Sequence, residues 1–196
     1  MAKRAAGVAT MVAIFTAGAA LNTDAAPNPE LVVVLHVTDY AHVPPRELAA
    51  AERVATQVYT AAGVQVVWTD GAARTAQSDG AFHVDVSVLS RDMVVQKCQS
   101  QGIPEGVFGR AARGTKRAYI FYNRIVDHAV HTRVDATRLF GMALAHEIGH
   151  ILLPADSHSP SGIMRATWEG RIVNVPGFTD EQGATIRRLL VSANAN

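Results

Sequence analysis

The chain has 196 residues, 48% hydrophobic and 18% charged, with a formal net charge of +1. This apolar content excludes a disordered chain, and the balanced charge gives no basis for nucleic acid or an acidic membrane surface as partner. Cys98 is the only cysteine, so an internal disulfide is excluded and stability must come from packing or a bound metal.

The N-terminus reads as a secretory signal peptide over residues 1–26. Met1-Ala2-Lys3-Arg4 is a short basic start, residues 5–21 are an apolar run, and small residues lead to Ala25-Ala26. The strongly apolar part is shorter than the ~20 residues a membrane span requires. Residues 27–196 then form one domain, long enough for its own core. They contain no repeats, no long linker and no later segment apolar enough to cross a bilayer. A secreted protein, extracellular or periplasmic, is expected, and a monomer.

Residues 31–37 are a nearly continuous valine-rich run, the pattern of a strand buried on both faces. Pro44-Pro45 opens a helix with Leu48, Ala51, Ala55, Val58, Tyr59 and Ala62 at helical spacing, and Gly63 is placed to end it. Residues 64–68 form a second strand, and strand-helix-strand in this order predicts a crossover in a mostly parallel sheet. Phe82, Val84, Val86 and Val88 alternate with polar residues, predicting a strand with one wetter face. Residues 91–105 read as a loop. Residues 107–112 read as a short edge strand, and residues 117–122 as another strand. A loop containing His128 and His131 follows. Asp135 opens a long helix through Leu139, Met142, Ala143, Ile148 and Ile151, which Pro154 stops. Thr179 and Gln182 form a capping box at the start of a last helix carrying Ile186, Leu189 and Leu190. The fold class is therefore α/β, with most of the sheet before the second predicted helix.

The informative segment is His146-Glu147-Ile148-Gly149-His150. Two histidines four apart lie on one helical face, one turn apart, so both imidazoles reach a single metal. Neutral imidazole suits Zn²⁺ at ~2.0–2.1 Å. Glu147 is placed to take a proton from a water on the metal, the general-base role in metal-assisted hydrolysis. A catalytic zinc needs a third protein ligand and an open position.

Here the chain resembles the metzincin metallopeptidases, matrixin-like members in particular, whose signature HExxHxxGxxH precedes a tight turn carrying a methionine. The stretch reads HEIGHILLPADSHSPSGIM, and Ser161-Gly162-Ile163-Met164 looks like that turn. The resemblance implies a mixed, mostly parallel twisted sheet with an antiparallel edge strand, an active-site helix and a C-terminal helix. Leu153 stands where the family has glycine. Counting without a gap puts the third ligand at Asp156, and His158 lies two residues further on, before the methionine turn. Imidazole is the better third ligand for zinc. The expected set is His146, His150 and His158, with Asp156 as alternative ligand or as acceptor for a ligand N–H. A glutamate ligand from a later helix would fall to Glu169 or Glu181, neither with a supporting context.

His36, His42 and His83 lack ligand spacing, and His128 and His131 read as solvated loop residues. Cys98 reads as a buried small hydrophobe. Tyr119 and Tyr122 read as core and sheet residues, and Trp168 as core or pocket wall. The function implied is a secreted zinc-dependent metalloendopeptidase with one catalytic Zn²⁺, cutting peptide or protein substrates through zinc-bound water activated by Glu147. By resemblance, residues 107–112 bind the peptide as an added strand. The loops at residues 91–105 and 172–178 shape its pocket. The alternative is a zinc-stabilised binding or surface protein without turnover.

Overall fold

The structure is a computed structural model describing residues 31–71, 81–168 and 174–194. The expected signal peptide, Glu169 and the start of the 172–178 segment lie outside the described residues.

The chain runs β1 (Val32–Asp39), α1 (Pro45–Ala61), β2 (Gln65–Asp70), β3 (Phe82–Val88), α2 (Arg91–Gln101), β4 (Gly109–Ala112), β5 (Arg117–Ile120), α3 (Tyr122–Thr132), α4 (Ala136–Leu152) and α5 (Asp180–Asn194). A single 3-10 turn, Arg113–Thr115, joins β4 to β5. The five strands form one sheet in the order β2-β1-β3-β5-β4. All pairs are parallel except β4–β5, so the antiparallel pair lies at one edge. This is the α/β architecture expected. No described helix is long and apolar enough to cross a membrane.

Local chemistry explains most boundaries. Pro45 occupies the first turn of α1, where a missing N–H costs nothing. Beyond α1, Gly63 takes φ 77° and its N–H reaches Thr60 O at 2.9 Å. Asp135 caps α4 by accepting from the Arg138 N–H at 2.8 Å. Leu153, ahead of Pro154, is extended and ends α4. The capping box of α5 forms in both directions: the Thr179 N–H donates to Gln182 Oε1 at 3.1 Å, and the Gln182 N–H to Thr179 Oγ1 at 3.3 Å.

Two segments differ from the sequence-based expectation. Residues 91–101 are helical, not a loop. Ser90 caps this helix by accepting from the Met93 N–H, and Gly102 ends it at φ 60°. Only Val94 and Cys98 are buried along it, so the apolar stripe is too thin to show as a period. Cys98 joins Leu89, Val94, Ile103 and Phe121 in a small satellite core. Tyr122–Thr132 is also helical and carries both His128 and His131. Its stop is Arg133 in the left-handed conformation, φ 56°, a job sequence reading assigns to glycine or asparagine.

The main core lies between the sheet and the α1–α4 pair. Thirteen consecutive-turn positions of α4 are buried, from Leu139 through Leu152. Tyr59 of α1 donates its buried hydroxyl to Ala145 O at 2.9 Å. The helices approach so closely at Gly141 that an added Cβ would lie 2.5 Å from Val54 Cβ and 2.6 Å from Ala51 O. Gly141→Ala should therefore destabilise the fold by about 1–3 kcal/mol through overpacking, read as a lowered denaturant midpoint. Gly114→Ala, where an added Cβ meets nothing within 4 Å, should leave the midpoint nearly unchanged.

Candidate metal centre

The last turns of α4 and the segment that follows it converge on one point. One ligand atom from each of His146, His150 and His158 lies within 4.8 Å of the other two. His146 and His150 come from successive turns of α4. His158 comes from the loop beyond it, with its ring centroid 5.3 Å from that of His146 and 4.7 Å from that of His150. Asp156 is not part of this cluster. It is exposed and takes the left-handed conformation, φ 57°, turning the chain after Pro154. Glu181 lies exposed on α5, also outside the cluster.

Hydrogen bonds fix which nitrogen of each ring faces the centre. His146 Nδ1 lies 2.9 Å from Ile163 O. A carbonyl only accepts, so Nδ1 carries the proton and Nε2 is a bare lone pair. His150 Nδ1 lies 3.1 Å from Ser157 Oγ, and the two Nε2 atoms face each other at 3.0 Å. With its proton on Nδ1, His150 would present a second lone pair at the same point, and a cation there would bind both. The spacing is close to the ~3.3 Å expected of two nitrogens on one tetrahedral zinc, so the donor set fits that ion. The groups that orient these two rings are Ile163 O and Ser157 Oγ; Asp156, the acceptor the sequence offered, hydrogen-bonds to neither.

Burial sets the protonation states. Desolvation lowers the His146 pKa, opposed by its bond to Ile163 O and aided by the His158 charge. His150 is pushed down to about 3, first by desolvation and then by His146, His158, Arg113 and Arg110. Both rings are thus neutral across ordinary pH, the form that ligates a metal. Glu147 is buried beside them, and desolvation raises it to about 8, opposed by the Arg110 charge and the Ala111 backbone N–H. A dication nearby favours the ionised carboxylate again.

Further residues support the centre, and the first of them, Gly109, carries no sequence signal. Gly109 of β4 backs onto Glu147: an added Cβ would lie 2.5 Å from its Cγ and 2.8 Å from its carboxyl carbon. Gly149 faces Met164, whose sulfur would lie 2.6 Å from an added Cβ. Met164 is fully buried, and the Ile163 N–H donates to Gly177 O at 2.7 Å, tying the turn at residues 161–164 under the helix. Trp168 packs edge-on against His146 with centroids 5.3 Å apart, and its indole nitrogen is buried without a hydrogen-bond partner. It belongs to the wall of the centre as well as to the core.

Gln182 does double duty. While its Oε1 completes the α5 capping box, its Nε2 donates to Ser157 O and Ser159 Oγ, both at 3.1 Å. The cap of the last helix therefore grips the residues on either side of His158.

The remaining candidates fall elsewhere. His36 Nε2 meets His83 Nδ1 at 2.9 Å across β1 and β3, and His36 Nδ1 meets Thr69 Oγ1 at 2.8 Å. His128 of α3 places its ring edge on Phe108, 5.1 Å between centroids. Tyr122 donates to Glu47 at 2.9 Å. Tyr119 lies under the Lys97 ammonium.

No protein-family model and no curated protein matches the sequence. Among solved structures, the chain is similar to a zinc-dependent peptidase from Methanocorpusculum labreanum, with 12% identity and TM-score 0.46, covering 81% of this chain and 99% of that one. It is also similar to archaemetzincin from Methanopyrus kandleri, with 15% identity and TM-score 0.48, covering 85% and 99%.

Gln182→Glu keeps the acceptor for Thr179 and removes both donors to the His158 loop. Zinc affinity, measured by chelator competition, should fall about 10- to 100-fold, as for other partners that orient ligands. The α5 helix content should be retained.

Proposed function

We propose that this chain is a secreted zinc-dependent metalloendopeptidase of metzincin type, with His146, His150 and His158 as ligands and Glu147 as general base. The observation that carries the reading is the joint placement of three converging imidazoles and one buried carboxylate between α4 and an edge strand. A structural metal site has no need of a buried acid beside it, since burying an unpaired carboxyl is unfavourable.

Zinc bound there would supply a Lewis acid that polarises a carbonyl and acidifies water. The protein groups do the rest. Glu147 accepts the proton of the attacking water and returns it to the departing amine. Its carboxyl is held by the Ala111 N–H from one side and by the absence of a side chain at Gly109 from the other. The Ile163 carbonyl and Ser157 hydroxyl keep two imidazoles aimed inward. β4 ends the sheet, so its outer backbone groups are available to an extended peptide, which would pair as a further strand. A signal peptide over residues 1–26 would deliver the domain outside the cytoplasm, and N-terminal sequencing of exported protein checks the cleavage point.

Glu147→Gln should bind zinc stoichiometrically and lose peptide hydrolysis by at least about 10²-fold, the usual contribution of a general base. Hydrolysis by this variant at the wild-type rate would overturn the assignment. Gly109→Ala should also lower kcat, by about 10²-fold for a displacement of this size, while zinc content stays at one equivalent. Unchanged kcat in that variant would show that β4 does not position the carboxylate.

A further inference from the structure

Peptide hydrolysis as proposed leaves open what kind of peptide the centre takes, and the edge strand beside it bears on this. Gly109, against Glu147, is followed directly by Arg110, and Arg113 opens the 3-10 turn after β4. Both side chains are exposed. Both flank the centre by position, since they continue the strand whose Gly109 abuts the Glu147 side chain.

The surrounding basic groups are already engaged. Arg117 pairs with Asp85 at 3.3 Å, and Lys116 stands over the Phe82 ring at 4.3 Å. Lys97 covers Tyr119, and Arg124 donates to Pro104 O and Val107 O. Arg110 and Arg113 have no ion pair or side-chain hydrogen bond among the described residues. Two guanidinium groups without a salt bridge among the described residues, on the strand that ends the sheet next to the centre, form a ready anion site. Guanidinium groups match carboxylates in charge and planar geometry.

We propose that Arg110 and Arg113 form a cationic lip along β4 that selects peptides carrying an acidic side chain close to the bond being cut. The proposal rests on the peptidase reading. A peptide lying antiparallel or parallel outside β4 places its side chains in cross-strand positions, where opposite charges attract and like charges repel. An Asp or Glu beside Arg110 would gain such a pair and Lys would meet repulsion, so the lip also excludes basic substrates. A free C-terminal carboxylate has the same chemistry as an acidic side chain, and the two sources are separable by experiment.

The test is binding to zinc-loaded Glu147→Gln protein, which needs no turnover. Peptides of one length, blocked at both ends, carry Asp, Ala or Lys at successive positions, and a further Ala peptide has a free C-terminal carboxylate. The Asp peptide at the matching position should bind about tenfold tighter than its Ala counterpart, with each arginine contributing about threefold. Adding Arg110→Ala or Arg113→Ala to the Gln variant should each remove about threefold of the Asp/Ala ratio, and Lys at either position should restore it. Raising salt from 0.1 M towards 1 M, where screening shortens to ~3 Å, should shrink the ratio. Equal binding of Asp and Ala peptides, a ratio that survives in the double alanine variant, or a gain seen only with the free carboxylate would each overturn the proposal. Wild-type protein with a full zinc load that cleaves none of the peptides would instead sink the peptidase reading, while leaving the binding comparison readable.

Discussion

The fold is organised around the need to bury α4 on nearly every side while it carries polar side chains at His146, Glu147 and His150. α1 closes one flank, and its contact depends on Gly141 having no side chain. β4 closes another through Gly109, and the turn bearing Met164 closes the end through Gly149. At all three places a single methyl group would occupy space already filled by a neighbour. Dense interiors transmit such misfits rather than absorbing them, so the position of each polar group is set by the packing of the apolar ones.

Burial also sets the chemistry. Desolvation holds two imidazoles neutral and pushes the Glu147 carboxyl up to about 8, so burial alone favours uncharged forms throughout. A dication would change that balance: neutral imidazoles are its ligand form, and its charge favours the ionised acid. The carbonyl of Ile163 and the hydroxyl of Ser157 anchor the outward nitrogens, and the carbonyl leaves the inward nitrogen of His146 bare.

How much of this was legible in the sequence follows the range of the forces involved. The spacing of His146 and His150 is a property of one helix, so it could be read without a structure. The parallel strands at residues 31–37, 64–68 and 82–88 and both ends of α4 were equally readable, since runs of valine, alternation and capping residues are local. α2 and α3 were not. One has a polar surface with two buried residues, the other ends on Arg133 in a conformation usually left to glycine. Gly109, Ser157 and Gln182 were beyond reach for another reason. Gly109 and Gln182 matter because folding brings them against residues far away in the chain, and Ser157 because the irregular loop after α4 turns its hydroxyl back onto His150. Gln182 is instructive, because its local role as a helix cap was evident and its second role, holding the loop around His158, was not.

That second role ties the order of synthesis to the completion of the site. His158 is steadied by a carboxamide that emerges 24 residues later, on the final helix, whose apolar residues Ile186 and Leu190 are fully buried. A nascent chain that has made α4 but not α5 holds two imidazoles in place and leaves the third on an untethered loop. A chain truncated ahead of α5 would carry the whole HExxH segment yet leave the loop around His158 without that tether.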